Sequence, residues 1–186
     1  MEKRSPLSTE AVLAKAFELA KANGTDSITY NGLARELGIK PQSMYRYVPD
    51  VRTLRTALLS SFYDELIAAL SARSSGLAPK DALRAFAVGM YDECHTHPWY
   101  YETFELMHRY DLVSELREPL MRLAQLVQLP MEELKGKGPE AARLTQLFVA
   151  INLGYAQMSM TQFIPQSLAD SREMFIRSID GSLETL

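Results

Sequence analysis

Lys40, Gln42, Ser43, Tyr45 and Arg46 crowd into one short polar segment, and each has a job available at a nucleic-acid surface. Gln42 can pair bidentately with adenine, Arg46 with guanine or a phosphate, and Tyr45 with a phosphate or a thymine methyl. A second cluster runs from Asp92 to Glu102, where Cys94, His95, His97 and carboxylates lie close in sequence. It invites a metal reading, but the spacing opposes one. His95 and His97 are two apart, so on a helix they diverge, whereas a helical chelating pair needs a spacing of three or four. A helix ending in histidine ahead of Pro98 is the ordinary account, because an imidazolium near a helix C-terminus is favoured by the macrodipole. Cys94, alone on an apolar helix position, reads as packing and lacks a resolving partner for redox sensing. Catalysis finds no foothold. No glycine-rich phosphate loop follows a strand, no serine sits in a nucleophile elbow, and the histidines gather at one break without a base and its orienter. No metal or cofactor is implied, and the chain does not read as an enzyme.

The polar segment needs elements to present it, and residues 27–48 supply them. Leu33, Ala34 and Leu37 make the inner face of a short helix whose first turn Thr29 or Ser27 caps. Gly38 stops that helix, because a left-handed C-terminal residue costs glycine nothing. Pro41 suits the first turn of the next helix, where its missing N–H had no partner and its φ is already helical. Ala34 is small where the two helices cross, and Ile39 and Met44 fill the shared core. Gln42, Ser43, Tyr45 and Arg46 then look outward, on a helix able to enter a major groove about 12 Å wide.

These residues also carry a family resemblance. Val12, Ala16, Leu19, Ala20, Gly24, Thr29, Leu33-Ala34, Gly38-Ile39, Met44-Tyr45 and Leu54 form a pattern spread from residue 8 to about 64. It resembles the DNA-binding domain of TetR/AcrR-family transcriptional regulators. Two departures stand out: Val51, followed by Arg52, occupies a position where the family often has a phosphate-binding lysine, and Tyr47-Val48 replaces the frequent His-Phe. The resemblance implies an all-α protein of about nine helices. Residues 1–49 form the helix-turn-helix head and residues 50–186 the linker helix, ligand-binding and dimerisation body. Thr29, Lys40, Gln42, Ser43, Tyr45, Arg46, Tyr47 and Arg52 are the DNA-binding set so expected. It further implies a homodimer on double-stranded DNA with a palindromic operator, acting as a repressor that a small-molecule effector releases. Such an effector must bind the released state better by a few kcal/mol, since equal affinity for both states shifts nothing.

Charge agrees once the chain is divided. The 186 residues carry a net charge of −3, yet residues 1–55 hold nine Lys or Arg against six Asp or Glu, and the remainder eleven against seventeen. The basic excess travels with the DNA helix. Lys3 and Arg4 read as a solvated terminus or a short phosphate-reaching arm. One cysteine excludes an intrachain disulfide and fits a reducing cytosol. The charged N-terminus and the lack of a long apolar run predict no export signal and no membrane association, hence a cytoplasmic protein.

Periodicity predicts helices near 8–23, 29–37, 41–47, 50–73, 79–96, 98–108, 112–128, 139–161 and 168–184. Breaks fall at Pro49-Asp50, Ser74-Ser-Gly76, His97-Pro98, Leu129-Pro130, Lys135 to Pro139 and Ile164-Pro165. Leu54, Leu58, Phe62, Leu66 and Leu70 repeat along the fourth helix, which links head to body. On the last two helices Leu147, Phe148, Ile151, Tyr155 and Met158 make one apolar stripe and Phe175, Ile176 and Ile179 another. The family resemblance makes Leu147, Ile151, Gly154, Phe175 and Ile179 a dimer interface; packing into the chain's own core is the alternative. Trp99, Tyr101, Phe104, Met107, His108, Asn152, Tyr155 and Gln157 are the candidate effector-lining residues, with core packing again the alternative. Two other functions compete: a ligand-independent regulator whose body docks a protein partner, and a helical metal-dependent enzyme on the same scaffold.

Overall fold

Ser8 and Thr29 open the first two helices by the same device: each side-chain oxygen accepts a backbone N–H one turn on, from Ala11 at 3.2 Å and from Gly32 at 3.1 Å. A computed structural model describes residues 7–97, 99–161, 163 and 167–186, the side chains of Asp26, Tyr101, Leu168 and Ala169 excepted. Lys3, Arg4 and Pro98 lie outside the described residues. The elements are α1 (Thr9–Asn23), α2 (Tyr30–Leu37), α3 (Val51–Ser74), α4 (Pro79–Thr96), α5 (Trp99–Arg109), α6 (Arg117–Lys135), α7 (Pro139–Met160) and α8 (Leu168–Glu184). Two 3-10 segments join them, Thr25–Ser27 and Pro41–Arg46. Among the described residues there is no strand, so the all-α expectation holds.

Contacts divide the chain into two compact units. The first holds residues up to Phe62 together with Glu102–Leu116, and the second holds Tyr63–Tyr101 with Arg117–Leu186. α3 and α5 each contribute residues to both.

The first unit closes over Val12, Ala16, Leu33, Ala34, Met44, Val48 and Leu54, flanked by half-buried Ile28, Tyr30, Leu37, Ile39 and Tyr47. Gly38 has φ +68° and ψ +31°, the left-handed conformation its place requires. Ile39 N–H returns to Ala34 O at 3.0 Å and Gly38 N–H to Arg35 O at 3.1 Å, the paired bonds of a Schellman ending. The Pro41 segment is 3-10 rather than the α-helix expected there. Ser43 N–H bonds Lys40 O at 2.8 Å and Tyr47 N–H bonds Met44 O at 2.9 Å, both three residues back. Six residues are too few to gain much from α-geometry, and 3-10 turns occur in such short pieces.

In the second unit α6 packs on α4 and α7, and α4 also meets α7 and α8. Phe86, Ala87, Met90, Tyr91, Val127, Met131, Phe148, Phe175 and Ile179 lie in its core. Gly89 lets α3 and α4 close up: a Cβ there would come within 2.9 Å of Leu70 Cδ2 and Arg73 Cδ. The course of α6 corrects the sequence reading twice. It starts at Arg117, not residue 112, because Asp111 turns left-handed (φ +52°) while Leu112 and Leu116 are wholly buried in the turn. It then runs through Pro130 to Lys135. An interior proline costs about 3 kcal/mol, but full burial of a Val or Met side chain returns about 1.5–3 kcal/mol. Val127 and Met131, at 0% and 1% exposure on either side of Pro130, together offset the break.

Candidate nucleic-acid interface

The polar face of the Pro41–Arg46 segment is braced from below by groups well separated in sequence. Tyr30 donates its hydroxyl to Val48 O at 2.8 Å, and Thr9 Oγ1 donates to Tyr47 O at 3.1 Å. These two bonds hold the carbonyls that follow the segment. The Tyr30 ring also meets the Tyr45 ring edge-on, with centroids 5.2 Å apart. Burial, reinforced by the charge of Asp50, pushes the Tyr30 phenol up to about 12, so it stays a donor at neutral pH. Neither Tyr30 nor Thr9 featured in the sequence reading, since a side chain reaching a carbonyl 18 or 38 residues away leaves no local pattern.

On that brace the outward residues are free to act. Lys40, Gln42 and Arg46 are exposed, Ser43 and Tyr47 are half-buried, and Tyr45 keeps 60% of its surface. Arg73, Arg84, Arg122, Arg143, Arg172 and Arg177 each hold a carboxylate. Arg35, Lys40 and Arg46 make no such pair among the described residues, and all three are exposed. Unpaired cations with an exposed tyrosine and glutamine on one element can donate to phosphates and read base edges. Thr29, exposed, spends an acceptor site on Gly32 N–H and keeps its own O–H to donate.

Arg52 is differently placed. Its Nε donates to Glu115 Oε1 at 2.7 Å, and its terminal nitrogens donate to Tyr110 O at 3.1 Å and Asp111 O at 2.6 Å. The Ser114 hydroxyl and then the Arg52 guanidinium hold the Glu115 carboxyl below the usual range. Asp50 caps α3 through Thr53 N–H at 2.6 Å, and this backbone bond is the main cause of its own lowered pKa. A phosphate contact by Arg52 therefore competes with three acceptors this side chain already holds.

The remaining nominated residues are dispersed. Trp99, Asn152, Tyr155 and Gln157 belong to the second unit; Phe104, Met107 and His108 belong to the first. Trp99 stacks on His97 at 4.6 Å, and Tyr155 packs on Phe175 at 4.9 Å while donating to Ser171 O. Met107 is buried, Phe104 half-buried, and His108 and Gln157 exposed; the Tyr101 side chain lies outside the described residues. Asn152 is 2% exposed and donates to Phe148 O, but its Oδ1 has no partner; Thr145 Oγ1, two turns earlier on α7, is likewise buried without one. A groove of about 390 Å³ in this unit, walled by Ile67, Leu77, Pro79, Leu126, Leu129 and Pro130, includes none of the nominated residues. On α7 Leu147 and Ile151 are exposed at 51% and 45%, with Gly154 half-buried beside them. Phe175 and Ile179, at 1% and 2%, pack instead inside the chain's own core, whereas Met174 of α8 is 49% exposed.

The histidine cluster has structural employment. His95 Nδ1 lies 2.7 Å from Tyr91 O and its Nε2 2.8 Å from Ser159 Oγ, while His97 Nε2 is 3.8 Å from Glu93. Among the described residues, no three His, Cys, Asp or Glu are grouped to hold a metal ion. No described helix is long and apolar enough to cross a membrane.

Comparison with known proteins places the fold. No protein-family profile matches the chain. It is 34% identical over 101 residues to an uncharacterized HTH-type transcriptional regulator of Mycobacterium tuberculosis, an alignment spanning 54% of this chain and 46% of that relative. The chain thus spans about half the length of the curated relative it matches. Among solved structures, it superposes on the transcriptional regulator SCO7222, a TetR from Streptomyces coelicolor, with a TM-score of 0.68, 20% identity and 97% of each chain covered. A protein of unknown function from Rhodococcus sp. RHA1 superposes with a TM-score of 0.79 at 19% identity, covering 100% of this chain and 97% of that one. The fatty acid degradation regulator FadR of Bacillus halodurans gives 0.67 at 11% identity, with 96% of each covered. The fold is that of TetR-type transcriptional regulators.

Proposed function

We propose that this chain is a DNA-binding transcriptional regulator of the TetR type. The observation that carries the reading is that Lys40 and Arg46, flanking exposed Gln42 and Tyr45, hold no carboxylate, in a chain whose other arginines mostly do. Gln42, Tyr45 and Arg46 read bases and phosphates; Thr29, Lys40, Ser43 and Tyr47 contact the backbone, and Arg52 joins them on releasing acceptors it already holds. Residues 1–49 are the DNA head and 50–186 the body.

The protein acts in the cytoplasm as a homodimer. Exposed Leu147 and Ile151, with Gly154 allowing close approach, favour α7 as part of the two-fold contact. A two-fold pair of recognition segments matches a palindromic operator with half-sites a helical turn or so apart. The regulator is a repressor that a small-molecule effector releases. Fluorescence anisotropy against labelled duplexes tiled across the DNA flanking its gene, with nonspecific competitor and at two salt concentrations, tests the reading. Tight, salt-weakened binding to one palindromic segment is expected. Uniformly weak, sequence-blind binding in that scan and in a selection of bound genomic fragments overturns it.

A further inference from the structure

The groove of the second unit is a built feature with no assigned occupant. At about 390 Å³ it falls within the range of about 300–1,000 Å³ typical of small-molecule sites. Ile67, Leu77, Leu126 and Leu129 make its walls apolar, and Leu77 and Leu129 stand 47% and 57% exposed. Its two ionic rim residues, Arg122 and Glu133, are of opposite sign but not equally available. Arg122 Nη1 lies 2.7 Å from Asp64 Oδ1 and its Nε 3.7 Å from Glu118, so two carboxylates already share that guanidinium. Glu133 makes no hydrogen bond or ion pair with any described residue. The unspent charge of the rim is therefore negative.

An independent feature of the backbone points the same way. Pro130 has no N–H, so the Leu126 carbonyl, four residues earlier in α6, loses the donor a helix normally supplies. Leu126, Pro130 and Glu133 all line the groove and follow one stripe of α6 at spacings of four and three. A carbonyl short of a donor and a free carboxylate thus share a helix face with an apolar wall. A group that satisfies both must donate hydrogen bonds and carry positive charge, and it must bring hydrocarbon with it.

We propose that this groove binds a primary organic ammonium ion bearing an apolar tail. The ammonium donates to the Leu126 carbonyl and the Glu133 carboxylate, and the tail lies along Ile67, Leu77 and Leu129. A carboxylate of the same length meets Glu133 as a like charge and finds Arg122 engaged. The site is independent of the DNA reading and is measured without DNA.

Octylammonium, octanoate and octanol, each below its micellar concentration, are titrated into the full chain with leucine-methyl NMR and calorimetry. Octylammonium is expected to saturate one site, shift the Leu77 and Leu129 methyls, and bind about tenfold more tightly than octanoate. Glu133→Gln weakens octylammonium about fivefold and leaves octanol unchanged, the size expected of one partly exposed charge contact. Leu129→Asn weakens octylammonium and octanol alike. Both residues are exposed, so both variants keep the fold. Failure to saturate, shifts confined to methyls elsewhere, equal affinity for the two ions, or unchanged octylammonium affinity in Glu133→Gln overturns the proposal.

Discussion

Replacing Tyr30 by phenylalanine removes one oxygen and isolates the brace beneath the Pro41–Arg46 segment. The lost bond is 2.8 Å long and ends on the carbonyl of Val48, a residue only 1% exposed. A typical hydrogen bond contributes about 0.5–1.5 kcal/mol net, and an acceptor stranded in a buried site costs about 1–3 kcal/mol. The expected loss is thus about 2 kcal/mol, centred on residues 43–48. The edge-on contact with Tyr45 survives in Tyr30→Phe and is lost in Tyr30→Leu. That adds about 0.5 kcal/mol, the low end for aromatic pairs, because Tyr45 is 60% exposed. Amide hydrogen exchange reads this directly, since Tyr47 and Val48 N–H both bond Met44 O at 2.9 Å. Their protection should fall roughly 30-fold in Tyr30→Phe, the equivalent of 2 kcal/mol, and further in Tyr30→Leu. The pH dependence has a fixed sign. The phenol is raised to about 12 in the fold, so the folded state holds its proton more tightly than the unfolded chain. That stability is complete below the ordinary tyrosine value near 10 and is lost as pH rises towards 12. The urea midpoint followed by circular dichroism should therefore drop more between those limits in wild type than in Tyr30→Phe. Unchanged protection of Tyr47 and Val48 in Tyr30→Phe would refute the brace.

Two further outcomes follow from burial. Leu147→Glu with Ile151→Glu should convert the proposed dimer to folded monomers in sedimentation velocity at micromolar concentration, with helix content unchanged, because both side chains are exposed; a persisting dimer removes α7 from the interface. Burial pushes the Cys94 thiol up to about 12 from 9.0. At pH 8 its reaction with an aromatic disulfide should be slower in the native protein than in urea by roughly a thousandfold, the ratio of the thiolate fractions, and equal rates would contradict its burial.

How much of this was legible beforehand depends on the distance over which each interaction acts. Thr29, Gly38 and Pro41 specify a cap, a stop and a start through their own chemistry, and Gly38 and Thr29 take those roles with the expected bonds. Helical periodicity likewise announced the apolar stripes of the last two helices. It cannot say which stripe meets which partner, and of the two places open to Phe175 and Ile179, interface or core, both side chains are buried within the chain's own core. Pro130 misled for a related reason. A proline breaks a helix through its own residue alone, whereas burial of Val127 and Met131 decides whether this helix continues. The polar face of the Pro41–Arg46 segment was legible as residue types, but its support was not. Tyr30 reaches Val48 across 18 residues and Arg52 reaches Glu115 across 63, and no spacing rule connects such pairs. The groove beside Glu133 was invisible for the same reason, since its walls come from separate segments of the chain.

The most direct test of the central claim compares wild type with Tyr45→Ala and Arg46→Ala on the tightest duplex found, by anisotropy, with sedimentation run on the same samples. Both side chains are exposed and neither is part of the core. The account predicts that specific binding is abolished in each variant while the dimer and helix content persist. Wild-type affinity in both variants would contradict it.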